Sequence, residues 1–340
     1  MTAVSPRVLV VIPCLNEIHH LPGLLAHLRQ DRGAKDHLII VADGGSTDGT
    51  AEAAAAAAAS DPQIVVLQNE KRLQAAAVNL AAQRFHEGAA FIVRVDAHAD
   101  YPADYVSSLV AAAEATGADS VVVSMRSVGR GCFGAAAAAA QNSRLGTGGS
   151  AHRRPSEGRW IDHGHHALFR TKSFLDLGGY DEAFAANEDA EYDVRLGRAG
   201  GRIWLSETSI VYYTRTSVLA LWRQYARNGA GRATTMAKHK VAPKVRQMIP
   251  IFILPIAGLA VLTPVFPPAG LGALVWGLAS LGFGAALGVR ARSLCVGASG
   301  AAALIMHLAW SAGYWRRLIS IAMGARRWEA GERGSLSAGT

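Results

Sequence analysis

The chain has 340 residues, half of them apolar, with a net charge of +8. That length holds one large α/β domain plus a smaller region. The charge is split: residues 1–214 carry 19 Lys and Arg against 24 Asp and Glu, and residues 215–340 carry 15 against 2, which suits nucleic acid or an anionic membrane surface, and the apolar segments that follow the basic run favour the membrane.

Val8–Ile12 is apolar on both faces and reads as a buried parallel strand, too short for a signal peptide and ended by Pro13. A helix is expected over 18–30, and a strand over 38–42 that runs into Asp43-Gly44-Gly45-Ser46-Thr47-Asp48-Gly49-Thr50. An alanine helix over 50–60, a strand over 64–67, a helix over 72–85 and a strand over 91–95 ending at Asp96 follow. Four strand–helix alternations predict a doubly wound parallel sheet, which binds ligands beyond the carboxyl ends of its strands. A further strand is expected over 121–124, an alanine-rich helix over 134–144, and a mobile loop over 145–160.

Residues 217–232 place Val218, Leu221, Trp222 and Tyr225 on one helical stripe with Arg223 and Arg227 off its centre, as in an interfacial helix. Apolar stretches over 248–265, 269–289 and 294–315 come next, the first two near the length needed to cross a bilayer. Three crossings would put Arg316, Arg317, Arg326 and Arg327 on the side away from the domain, so an even number, or a third segment that re-enters or lies flat, is expected. The expected division is 1–214 catalytic, 215–247 basic interface, 248–315 membrane helices and 316–340 a basic flexible tail. Cys14, Cys132 and Cys295 show no metal spacing and no disulfide framework, so free thiols in a reducing cytoplasm are expected.

Three acidic signatures carry chemistry. Asp43 ends a strand, where its carboxylate can accept a base N–H, while Asp48 and Thr50 also suit a helix cap. Asp96-Ala97-His98 offers a carboxylate and an imidazole to a divalent ion that neutralises a diphosphate, the imidazole favouring Mn²⁺ over Mg²⁺. Asp100 is either a further ligand or a capping residue ahead of Pro102. Glu188-Asp189 suits a general base whose pKa is raised by its neighbour, and equally an acidic helix N-terminus. Pro13…Glu17 ends the first strand where a nucleoside would lie, or makes an ordinary turn. His163, His165 and His166 read as a substrate-facing loop, with zinc or packing as the alternatives. No G-x-G-x-x-G follows the first strand, which argues against a nicotinamide oxidoreductase.

In this order the motifs resemble family 2 glycosyltransferases of the GT-A fold, from Pro13 to about Gly231. The resemblance rests on Pro13…Glu17, the Asp43 motif, Asp96-Ala97-His98, Gly164…Arg170, and Gly178-Gly179-Tyr180-Asp181-Glu182…Glu188-Asp189…Arg195-Leu196. It implies that Asp43 contacts uracil, with Pro13, Glu17, Arg72 and Asp96 near the nucleotide. Asp96 and His98 would hold Mg²⁺ or Mn²⁺. Asp189 would be the base with Glu188 beside it, and Gly164, His165, His166 and Arg170 would lie at the donor–acceptor junction.

A UDP-sugar donor, glucose for preference, and an acceptor sugar on undecaprenyl diphosphate are implied, at a bacterial inner membrane with the catalytic domain cytoplasmic. Lys238, Lys240, Lys244 and Arg246 are expected at anionic headgroups or the lipid diphosphate. A homo-oligomer is left open. The interface helix carries Gln224-Tyr225-Ala226-Arg227-Asn228, with Asn228 where processive synthases carry Trp, and this favours single addition. Transfer directly to polyprenyl phosphate, and a degenerate scaffold that binds UDP without turnover, are the rival expectations.

Overall fold

The computed structural model describes residues 7–31, 36–243 and 245–324, with the side chains of residues 166, 245 and 246 left aside. The first half alternates strictly: β1 Val8–Cys14, α1 Leu21–Leu28, β2 His37–Asp43, α2 Thr50–Ser60, β3 Ile64–Gln68, α3 Gln74–Phe85 and β4 Phe91–Arg94. Then come β5 Ala99–Asp100, α4 Tyr105–Thr116, β6 Ser120–Val128, α5 Gly131–Gln141, α6 Arg144–Thr147, β7 Arg159–Ile161 and β8 His165–Arg170. The rest comprises α7 Thr171–Asp176, α8 Glu188–Arg198, β9 Ile203–Tyr213, α9 Val218–His239, α10 Val245–Leu259, α11 Leu271–Ala291, α12 Leu294–Gly297 and α13 Ser299–Ala322.

One sheet runs in the order β3-β2-β1-β4-β8-β6-β9-β5, with β7 paired to β9. Strands β3, β2, β1 and β4 are parallel, β8 is antiparallel to both β4 and β6, and β6 is parallel to β9. Val8–Ile12 and Ile39–Ala42 are fully or nearly fully buried because helices cover both faces. One core layer holds α1, α2 and α4 residues such as Leu25, Ala54 and Leu109; the other holds α3, α7 and α8 residues such as Val78, Phe174 and Tyr192. The parallel set places the carboxyl ends of β1, β2 and β4 along one edge.

Two expectations change here. Residues 145–160 carry short elements, the end of α6, a 3₁₀ turn over Ala151–Arg153 and the start of β7, with irregular backbone between them. Cys132 and Cys295, 163 residues apart, are joined as a disulfide, leaving Cys14 as the free, buried thiol. Packing of α12 against α5 brings the pair together, which no linear spacing reveals. The inference of a reducing compartment from free thiols therefore falls.

Helix α9 extends to His239 and is docked on α8 through Glu191. This buried carboxylate accepts from Arg195 Nη2 at 2.7 Å, Lys238 Nζ at 2.6 Å and His239 Nε2 at 2.9 Å. Burial raises its pKa, but the bonds from Arg195 and Lys238 outweigh that and hold it low. Lys238 also bonds Asp181, so it is engaged in the domain and not turned to headgroups. Glu191→Ala is expected to destabilise the fold by about 3 kcal/mol, because cations lose a buried partner. The stabilisation is complete above the unfolded value of about 4.3 and is lost as pH falls through the lower folded value. Denaturant melts of both proteins at neutral and acid pH check this: the gap between them should narrow in acid.

Beyond α9, α13 packs along α9 and α5 on one side and meets α10 and α11 as well. It continues past the expected boundary at 315 to Ala322, and residues 325–340 lie outside the described residues. Pro255 cannot donate to the Ile251 carbonyl, so Ser311 Oγ at 3.1 Å and Trp315 Nε1 at 2.7 Å donate to it instead.

Candidate active site

Two loops at the ends of β1 and β2 are knitted by side-chain bonds. Asn16 N donates to Ser46 Oγ at 2.9 Å, Thr47 N to Asn16 Oδ1 at 2.8 Å, and Glu17 N to Thr50 Oγ1 at 2.8 Å. Asp48 accepts from Thr50 N and Ile18 N just ahead of α2, whose N-cap is Gly49. Asp43 is buried and accepts from Gly45 N at 2.9 Å and from Ser46 N and Oγ. Its carboxylate is thus spent largely on holding its own turn. Exposed Arg72 follows β3, with its guanidinium beside Gly45. Pro13 is the penultimate residue of β1, paired with Ala42.

The centre lies where β4, β8 and the start of α8 meet. Arg94, the last residue of β4, is buried and reaches three carboxylates. Its Nε lies 3.3 Å from Asp96 Oδ1, and its Nη1 lies 3.2 Å from Glu188 Oε1 and 3.0 Å from Asp189 Oδ1. Asp189 also accepts from the Tyr180 hydroxyl at 2.5 Å. Asp96 accepts from the Gln74 amide and the Tyr212 hydroxyl. His165 stands between the acids, Nε2 at 3.6 Å from Asp96 Oδ2 and Nδ1 at 3.6 Å from Asp189 Oδ2.

Electrostatics follow from burial and that one cation. Burial would lower the Arg94 pKa, but Asp96 and Asp189 raise it further, so it stays charged. Burial raises Asp96, yet Arg94 and His165 outweigh it and hold the acid ionised. Glu188 goes the other way, raised by burial and by Asp189, with Arg94 only partly offsetting. The Tyr180 hydroxyl is pushed well above its ordinary value by burial and Asp189, so it remains a donor.

Among the described residues no three His, Cys, Asp or Glu side chains form a ready metal cage. Asp96 and His98 are the residues that would hold a hard ion, and the Asp96 oxygens are meanwhile taken by Arg94, Gln74 and Tyr212. His98 Nδ1 lies 3.1 Å from Glu17 Oε1, an arrangement in which Nε2 would be the nitrogen to face an ion. Mg²⁺ or Mn²⁺ keeps several waters and takes phosphate oxygens from its substrate, so one or two protein ligands suffice. Asp100 instead accepts from the Tyr213 hydroxyl at 2.7 Å.

The expected junction Gly164–Arg170 is not a loop. Residues His165–Arg170 form β8, antiparallel to β4, with Arg170 opposite Phe91 at the far end of that strand. Arg170 stacks on Phe91 and donates to Ala118 O, away from the acids; Gly164 packs on Val122; and the His166 side chain lies outside those described. His163 pairs with Asp193 at 2.5 Å, one turn along α8 from Asp189, beside a cavity of about 520 Å³ that Trp160, Arg198 and Arg232 also line.

Helix α9 braces the acids from behind. Asn187 Nδ2 donates to the Asn228 carbonyl at 2.6 Å, and a Cβ at Gly231 would meet Ala186 O at 2.4 Å. Gln224 lies on the same helix with a buried Oε1 that has no hydrogen-bond partner among the described residues, and Arg227 Nε donates to Arg223 O. Arg94, Gln74, Tyr180 and Tyr212 were not anticipated from sequence. Arg94 left a signal, a charge within the apolar run Phe91-Ile92-Val93-Arg94-Val95, and Tyr180 stood in the Gly178-Gly179-Tyr180-Asp181-Glu182 motif without a role assigned to it.

A mostly parallel sheet with acids at its strand ends, and a second acidic pair folded back over them, defines a GT-A glycosyltransferase. Residues 9–178 match glycosyl transferase family 2, and the chain belongs to that family. It is 48% identical over 316 residues to the succinoglycan biosynthesis protein ExoA of Rhizobium meliloti (strain 1021), covering 93% of this chain and 96% of that protein. The mannosyltransferase PcManGT from Pyrobaculum calidifontis, in complex with GDP-Man and Mn²⁺, has a similar structure with a TM-score of 0.51 at 21% identity, covering 90% of this chain and 88% of that one. At that identity the likeness speaks to the fold alone.

Proposed function

We propose that this glycosyltransferase moves a hexose, glucose, with inversion from UDP-glucose to a sugar carried on undecaprenyl diphosphate. The product is an exopolysaccharide intermediate of the succinoglycan type, and one sugar is added per acceptor. The observation that carries the reading is the Asp189 carboxylate, oriented by Tyr180 and Arg94, with His165 bridging it to Asp96. Asp189 takes the proton from the acceptor hydroxyl as that oxygen attacks the anomeric carbon, and UDP leaves from the opposite face. A divalent ion held by Asp96 and His98 would supply positive charge to the leaving diphosphate. Arg72, beside the Asp43 turn, reaches the nucleotide.

The near relationship to the succinoglycan protein supports the pathway, and Asn228, standing where processive synthases carry Trp, supports single addition. The basic run and the apolar helices support an inner-membrane location with the domain on the cytoplasmic side, while the Cys132–Cys295 disulfide speaks against a reducing compartment.

The test is transfer from radiolabelled UDP-glucose into solvent-extractable lipid, in membranes given Mn²⁺ or Mg²⁺ and a galactosyl diphospholipid. Label should enter the lipid only with metal and acceptor present. Label with polyprenyl phosphate alone would move the acceptor, and UDP binding without transfer from any UDP-sugar would leave a scaffold. His98→Ala should raise the metal concentration needed for half-maximal transfer at least about tenfold, because one of two protein ligands is lost. A metal titration of both enzymes checks it.

A further inference from the structure

Among the described residues, Pro267–Ala291, which contains α11, and Leu294–Ala322, which contains α12 and α13, are each long and apolar enough to cross a bilayer, but their neighbours fix their depth. Helix α13 runs beside α9 over 221–234. A Cβ at Gly313 would strike Ala226 O at 1.9 Å, a Cβ at Gly229 would strike Trp310 O at 1.9 Å, and Arg317 Nε donates to Thr234 Oγ1 at 3.0 Å. At the other end Ala302, Ala303 and Met306 pack on Leu221 and the α5 alanines. The contact spans roughly 20 Å at 1.5 Å per residue.

Helix α9 carries Arg223, Arg227 and Arg232, and each arginine at the centre of a bilayer would cost about 2.5–3.5 kcal/mol or more. It therefore stays at the water–lipid boundary, and α13, locked along it, stays there too. Helix α11 in turn lies antiparallel against α12 and the start of α13. A Cβ at Gly288 would meet Gly297 Cα at 2.5 Å, a Cβ at Gly284 would meet Gly300 N at 2.3 Å, and the Trp276 indole donates to His307 Nδ1 at 3.3 Å. Helix α10 is tied to α13 through Ser311 and Trp315.

The exposed apolar side chains gather on this layer: Val261 is 77% exposed, Val265 88% and Val289 80%. No acidic residue occurs from Arg215 to Arg327. A layer one helix thick measures about 10 Å, and half the hydrocarbon core is about 15 Å.

We propose that α10, α11 and the turn between them form a lipid-facing layer sunk into one leaflet of an anionic membrane, without crossing it. This rests on the membrane placement proposed above. It leaves Arg215–Arg246 and Arg316–Arg317 on one side of the bilayer, which removes the charge conflict that three crossings create.

The experiment uses the full chain in spheroplasts and in inverted vesicles, with a membrane-impermeant maleimide. Wild type is the blank, since Cys14 is buried and Cys132 is joined to Cys295. Val265→Cys and Leu262→Cys probe the turn, Glu87→Cys marks the domain, and Met323→Cys marks the end of α13. The expected result is a turn shielded from both faces until detergent is added, with Glu87→Cys and Met323→Cys labelled from the same face. Label on the turn from the face opposite Glu87→Cys would overturn the proposal in favour of a crossing hairpin while sparing the membrane placement. Label on the turn from the domain's own face, or on Met323→Cys from the opposite face, would overturn it as well. Recovery of the protein in the soluble fraction at low salt would overturn both readings.

Discussion

Asp189→Asn is expected to reduce sugar transfer at least about 10³-fold while leaving UDP affinity unchanged. The substitution is isosteric, and its amide oxygen still accepts from Tyr180 and Arg94, so the melting temperature should hold. What is lost is the basic oxygen for the acceptor proton. Glu188→Gln supplies the contrast. Glu188 bonds Arg94 from a buried position, and burial with Asp189 raises its pKa, so its role is to hold the cluster. Its loss should cost transfer about tenfold, well short of the loss of a general base. Single-turnover transfer and UDP titration on both variants decide between the two acids. A larger loss in Glu188→Gln would move the base to that residue.

The half of the fold that reads directly from sequence is the half made of buried parallel strands. Val8–Ile12 and His37–Asp43 are apolar because helices cover both faces, and each announces its end with an acid or a proline. Strand β8 gave no such sign, because His165-His166 opens it and Arg170 closes it, and a polar start reads as a loop. Strand β9 is interrupted by Ser206, Glu207, Thr208 and Ser209 and shows no clear period. The acids of the site were legible one by one, since each sits at a strand end or helix start. Their arrangement was not, because it depends on α8 folding back over β4 to bring residues 94 and 189 within 3.0 Å. The same limit applies to Cys132 and Cys295, whose pairing is a product of helix packing.

Arg94→Met should be the most damaging substitution outside the acids themselves. Asp96, Glu188 and Asp189 converge on this one buried cation, and leaving such charges uncompensated costs about 3–5 kcal/mol. The cluster can escape that cost by taking up protons, so its carboxylates would titrate at higher pH. Transfer needs an ionised base, so the acid limb of the kcat/KM profile should move to higher pH, with partial recovery in alkaline buffer. At neutral pH the loss should reach about 10²-fold or more. Arg94→Lys restores the charge but not the fork that serves Asp96 and Asp189 together, so it should recover the pH profile more than the rate. A structural role alone predicts lower stability with an unshifted profile. The pH dependence of kcat/KM, measured beside thermal melts, separates the two.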